Sequence, residues 1–156
     1  MSKQIFILQS FVFVSLLFFS CSKYTKGACQ FYNPPSALFF LLKKDGQILP
    51  DTILQNVKLS YYVNGVKSYI PDLSEATDFY AGQGILATRD IGFLSIKTYY
   101  LEYPNNWNTD SLYVDYIAPS ISTNCLYILD TVKFNTQLAP IDTTFKYEPV
   151  YVLNKQ

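Results

Sequence analysis

Four apolar residues at alternate positions, Val57, Leu59, Tyr61 and Val63, are interleaved with Lys58, Ser60, Tyr62 and Asn64, and the chain resumes at Val66 after Asn64-Gly65. Alternation with period two puts successive side chains on opposite faces of a strand, so this segment has one face for a core and one for water. A two-residue connection between antiparallel strands needs φ > 0 at both central positions, and Asn-Gly tolerates that geometry best. The pattern predicts a hairpin whose return strand covers residues 66–70.

The same texture extends along the chain. Residues 38–42 (Leu-Phe-Phe-Leu-Leu) form a short continuous apolar run, which fits a strand covered on both faces. Residues 43–47 turn the chain, and Pro50-Asp51 breaks it again. Residues 71–78 read as a helical turn capped by Asp72, with Glu75 three residues on. Gly82, Gly84 and Gly92 bracket a strand over 85–88, and residues 93–103 read as one long strand. After a polar loop over 104–110, Leu112, Val114 and Tyr116 alternate with Tyr113 and Asp115. Residues 119–124 turn. Leu126, Ile128, Val132 and Phe134 are then expected on one face, interrupted by Asp130. Residues 145–153 make a last strand, which Pro149 demotes to an edge or bulged one. About seven to eight strands, with turns at roughly ten-residue spacing and no long helical period, predict an all-β fold: one antiparallel β-sandwich over residues 37–156. A transthyretin-like and an immunoglobulin-like arrangement both fit.

The N-terminus has a different character. Lys3 precedes an apolar run over residues 5–19, broken by Gln9, Ser10 and Ser15, which ends in Phe19-Ser20-Cys21-Ser22. A basic start, an apolar core and a small residue before a cut site make a leader over residues 1–20. An uncleaved anchor needs roughly 20 apolar residues, and an ordinary secretory signal ends in an Ala-x-Ala-like site that Phe18-Phe19-Ser20 matches poorly. Cys21 directly after Ser20 resembles the lipobox of bacterial lipoproteins, in a relaxed form similar to that of the Bacteroidota. That resemblance implies that Cys21 carries a diacylglyceryl group and becomes the new N-terminus, with residues 21–36 as a lipidated tether. Two or three acyl chains hold a protein to a membrane stably where one is marginal. In that family an acidic cluster after the cysteine resembles a signal for export to the cell surface. Ser22, Lys23 and Lys26 stand there instead, which implies an outer-membrane lipoprotein facing the periplasm. Cys29 and Cys125 would then lie in an oxidising compartment, where a disulfide is the natural reading and two buried free thiols the alternative.

Equal numbers of basic and acidic residues, 12 and 12, and the absence of any basic stripe give no electrostatic case for nucleic acid. The chain has no histidine, which removes Ser-His-Asp and Cys-His catalysis and His-ligated zinc. No phosphate-binding or dinucleotide fingerprint appears, and no cofactor is expected. Carboxylate pairs of the glycosidase kind remain conceivable at Asp110 with Asp115 and at Asp45 with Asp51, although Asp at strand ends is usually turn chemistry. Residues 106–110 (Asn-Trp-Asn-Thr-Asp) resemble the start of a calcium loop. Ser111 and Ile117 stand where that loop needs glycine and a bidentate glutamate, so no metal is expected.

The ligand-facing candidate is Trp107 with Tyr103, Asn106 and Asp110: an aromatic flanked by hydrogen-bonding side chains can stack on a sugar or anchor a peptide. The competing account is a Trp that plugs the open end of the core. Tyr61-Tyr62 and Tyr99-Tyr100 each place one ring inside and one outside, the outer rings serving as a binding strip or as cross-strand packing. Signal, texture and cysteine spacing together resemble the small β-rich lipoproteins common in Bacteroidota. The resemblance implies a non-enzymatic, membrane-tethered interaction or accessory module of the envelope with a protein or glycan partner. A carbohydrate- or peptide-binding module and a carboxylate-based hydrolase are the alternatives.

Overall fold

The computed structural model describes residues 37–77, 79–118 and 127–155. In chain order the elements are β1 (Leu38–Lys44), β2 (Gln47–Ile48), a helical turn α1 (Asp51–Leu54), β3 (Lys58–Val63), β4 (Val66–Tyr69), β5 (Ser74–Glu75), β6 (Ile85–Thr88), a 3₁₀ turn (Asp90–Phe93), β7 (Thr98–Glu102), β8 (Asp110–Ile117), β9 (Ile128–Phe134), β10 (Gln137–Leu138), β11 (Ile141–Asp142) and β12 (Val150–Lys155). Eight of these strands have four residues or more. Among the described residues no helix is long and apolar enough to cross a membrane.

Left-handed turn residues set the hairpins. Asn64 and Gly65 have φ of 50° and 79° and join β3 to β4 in the predicted register, Val63 opposite Val66. Asp45-Gly46 closes β1 on β2 in the same way, with φ of 52° and 79°. Asn135-Thr136 closes β9 on β10 with φ of 47° and 70°. The last is costly, because a β-branched side chain crowds the backbone in the left-handed region.

The strands form two sheets. One has the order β11-β12-β1-β6-β5, with β2 pairing the far end of β1; the other is β10-β9-β8-β7-β3-β4. They pack face to face through one core. Leu38, Phe40, Leu42, Leu86 and Leu153 of the first sheet share it with Leu59, Tyr99, Leu101, Leu112, Val114 and Val132 of the second. Each such side chain contributes about 1.5–3 kcal/mol when fully removed from water. The continuous apolar run of β1 is explained by its place: Leu41 lies on the outer face of its sheet in a second cluster with Ala76, Tyr80, Ile85 and Val150.

Several local expectations are corrected. Pairing is antiparallel except between β1 and β12, which run parallel from Phe39 opposite Val150 to Lys44 opposite Lys155. The remainder of the domain serves as the long crossover that a parallel pair requires. The helical turn expected over 71–78 is not formed by residues 71–77. Ser74 and Glu75 pair with Ala87 and Leu86, and Asp72 instead accepts hydrogen bonds from the backbone N–H of Arg89 (2.6 Å) and Asp90 (3.1 Å), the start of the 3₁₀ turn. The long strand over 93–103 shortens to β7. The buried Tyr99 hydroxyl lies 2.8 Å from the Ile96 carbonyl and 3.1 Å from that of Ile91, which bends the approach to the strand around it.

Pro149 stands outside the ladder, immediately before β12, and β12 lies between β1 and β11 rather than at an edge. In β9 the register jumps from Asp115 opposite Thr131 to Tyr116 opposite Leu129, leaving Asp130 as the extra residue of a bulge. The inserted residue flips the side-chain alternation. Leu129, not Ile128, packs on the core, and Ile128 is exposed. Pro50, expected as a breaker only, caps α1, its carbonyl accepting from the N–H of Ile53 and Leu54 at 2.8 and 3.0 Å. The turn expected over 119–124, and Leu126, Cys21, Cys29 and Cys125, lie outside the described residues.

Candidate functional site

The loop between β7 and β8 brings three of its four candidate residues together. Asn105 and Asn106 occupy left-handed positions (φ 62° and 55°), and Asn106 is exposed in that turn, apart from the others. Trp107 is half-buried and packs on the main core, 6.0 Å from the ring of Tyr103 between centroids. The Lys44 ammonium lies 4.5 Å from the Trp107 ring centre. Asp110 is buried. Its Oδ2 is 2.8 Å from Lys155 Nζ, and its Oδ1 accepts from Asn135 Nδ2 at 2.7 Å. Lys155 Nζ also donates to the Asn108 carbonyl at 2.8 Å and sits 4.3 Å from the centre of the Tyr103 ring. The Tyr103 hydroxyl is buried without a hydrogen bond of its own. Burial and the neighbouring Asp110 carboxylate hold it un-ionised well above the ordinary tyrosine range.

The charged groups of this cluster, Asp110 and Lys155, are engaged within the protein, and their pairing ties β8 to β12 at one end of the sandwich. Sequence reasoning missed Lys155. The signal was available, since the period-two series Tyr151, Leu153, Lys155 carries the lysine onto the core face.

Asp110 and Asp115 do not converge. They are five residues apart on β8, which separates their backbones by about 16 Å. Glycosidic cleavage needs carboxyl groups within roughly 5–9.5 Å of each other. Asp115 is paired with Lys97 at 2.7 Å, and that ammonium holds its carboxyl below the usual range. Asp45 lies in the β1–β2 turn, and Asp51 opens α1. Among the described residues no group of three or more acidic or cysteine side chains could hold a metal.

On the outer face of the second sheet, Tyr62 and Tyr100 meet edge to face at 5.6 Å, while Tyr61 and Tyr99 meet inside at 6.1 Å. The pairs divide between the faces as the alternation predicts. Lys58 and Lys67 lie over the Tyr69 ring, at 5.8 and 5.6 Å from its centre. The outer rings are thus packed against their strand neighbours.

A larger hollow among the described residues lies elsewhere. On the outer face of the first sheet, Phe39, Ala87 and Ser74 are cross-strand neighbours on β1, β6 and β5, and form the floor of an open groove of about 790 Å³. Small side chains at Ala37, Ala87 and Ser74 leave the room. Tyr80 makes one wall and is held rigidly. Its hydroxyl accepts from the Glu148 N–H (2.8 Å) and donates to the Glu148 carbonyl (3.0 Å), and its ring meets Phe39 and Phe145 edge to face at 5.3 and 5.5 Å. Beside it, Phe79 stacks on Tyr147 with centroids 4.4 Å apart, the two rings 70% and 69% exposed. Among the described residues, Asp72 and Glu148 line the groove with one cation, Arg89, and Glu75 borders it at the strand edge.

Sequence reasoning placed these residues in separate segments and did not bring them together. Phe79 and Tyr80 follow no strand alternation, and the groove joins segments almost seventy positions apart, as the Tyr80–Glu148 bonds show. No protein-family model, curated protein or solved structure matches this chain.

Proposed function

We propose that the protein is a non-catalytic interaction module of the bacterial envelope, held to the outer membrane by lipid on Cys21 and facing the periplasm, and that it engages a partner through the groove beside Phe79 and Tyr147. The observation that carries the reading is that stacked pair. Two large rings left in water next to a rigid concave wall are the arrangement that binding surfaces use, since burying them against a partner releases apolar area at little entropic cost. The lipid anchor rests on the leader and on Cys21, and the absence of histidine supports a role without acid–base chemistry near neutral pH. A Cys29–Cys125 disulfide and a transthyretin-like or immunoglobulin-like arrangement of strands belong to the same reading. The alternative, a sugar- or peptide-binding loop built on Trp107, is less favoured because that ring already meets Lys44 and the core.

Two measurements test it in the producing cell. Cys21→Ala should release the protein from the membrane fraction and abolish incorporation of labelled palmitate. A photo-crosslinking amino acid at position 79 should give a discrete envelope adduct that Tyr147→Ala removes, whereas the same group at position 138, on the exposed edge of the other sheet, should not. Equal adducts at both positions, or none at 79, would remove the basis for the groove.

A further inference from the structure

Resting on the groove reading and extending it to the class of partner, we infer that the groove receives an extended peptide alternating basic and aliphatic residues, which adds as a strand to the free edge of β5. Three observations converge. First, among the described residues β5 ends its sheet and pairs only with β6. Ala76 N–H donates to the Ile85 carbonyl at 2.8 Å, and in an antiparallel ladder bonded pairs alternate. The pair Glu75–Leu86 is therefore a non-bonded one, and the N–H and C=O of Glu75 point outward from the sheet edge.

Second, the edge has a hollow on each side. The groove over Ser74 and Ala87 lies on the outer face. A second hollow of about 240 Å³, lined by Leu54, Val57, Leu73 and Leu86 together with Gln55 and Glu75, lies on the inner side of the same edge. An added strand sends alternate side chains to opposite faces, so one set enters each hollow.

Third, the two hollows differ in chemistry. The inner one is mainly aliphatic, with Gln55 and Glu75 as its polar residues, and takes a residue such as valine directly opposite Glu75. The outer one carries the Asp72 and Glu148 carboxylates with the Arg89 guanidinium, beside the Phe79 and Tyr80 rings, which suits a lysine or arginine at the next position.

The probe is an end-blocked octapeptide of alternating lysine and valine, titrated calorimetrically into the full-length protein in detergent. Saturable binding is expected. It should weaken about tenfold or more when glutamate replaces lysine in the peptide, when the valine nitrogens are methylated, and in Glu75→Pro, which removes an N–H that no neighbour in the sheet uses. Should Glu75→Pro not fold, the methylated peptide against the unaltered protein decides the same point. No binding at about millimolar peptide, or affinity unchanged by methylation and by Glu75→Pro, overturns strand addition. If the position-79 adduct persists in that case, the groove reading survives and only the peptide class falls; if the adduct is also missing, both fall.

Discussion

Lys155 and Asp110 form an ion pair of 2.8 Å in which both residues are more than nine-tenths buried, joining the last strand of one sheet to the first residue of β8 in the other. Removing two charges from water costs several kcal/mol each, and here the cost is offset by full use of the hydrogen-bonding groups: Asn108 and the Tyr103 ring complete the ammonium shell, and Asn135 completes the carboxylate. Lys155→Met should therefore destabilise the protein by about 3–5 kcal/mol, because it strands a buried carboxylate. The double variant Lys155→Met with Asp110→Leu should recover most of that loss. Urea unfolding of both variants checks this, and a double variant no more stable than the single one would contradict it.

Among the described residues, Thr136 is the one β-branched residue at a left-handed turn position, at φ 70°. Glycine there removes the clash of Cβ with the backbone, so Thr136→Gly should raise stability by about 1 kcal/mol. The mirror change, Gly65→Thr at φ 79°, should lower it by a similar amount. Midpoints of chemical denaturation at constant slope report both.

The pH dependence of stability should lie on the acid side. The Asp142 carboxyl accepts from the Thr144 hydroxyl (2.7 Å) and N–H (3.0 Å), which hold it below the usual range. Burial pushes Glu102 upward, but the Lys67 ammonium and the Ser60 hydroxyl outweigh it and leave the net shift downward. A folded-state pKa below the unfolded one means stability that is present above the unfolded value and lost as pH falls through the folded one. The unfolding free energy should thus decline below about pH 5. It should stay level from about pH 5.5 to 7.5, since the chain has no histidine to titrate. A slope across the neutral range would disagree, and Asp142→Ala should flatten part of the acid limb.

Trp107, the single tryptophan, reports on its own environment. Half-burial against the core predicts emission blue-shifted from that of the unfolded chain and only partial quenching by iodide. Trp107→Ala should cost about 2 kcal/mol, less than the roughly 3–5 kcal/mol of a fully buried ring. Full quenching with no loss of stability would show a ring free in solvent.

Much of the strand pattern was legible in the residues because it is local. Asn64-Gly65 specifies a turn by its own steric freedom, and the alternation around Leu112 and Val114 needs no partner to be read. The failures have a common origin. Asp130 was legible as an interruption of one face but not as a bulge, which exists only because β8 sets the register opposite it. Asp72 was read as the cap of its own segment, but it serves a turn seventeen residues on. Trp107 and Tyr103 were legible as a pair, whereas the lysines that occupy their rings come from β1 and β12.

The sequence alone determined that the chain is β-rich, where most of its long strands run, which faces of the central ones are apolar, and that histidine chemistry is excluded, for these follow from side-chain period, turn sterics and residue type. Only the tertiary structure decided that the first and last long strands pair in parallel, that Lys155 neutralises Asp110, and that Phe79, Tyr80 and Glu148 meet around a groove. Those facts depend on which distant segments share a sheet or a face. That choice is made by burial summed over the whole core, and no local window of residues contains it.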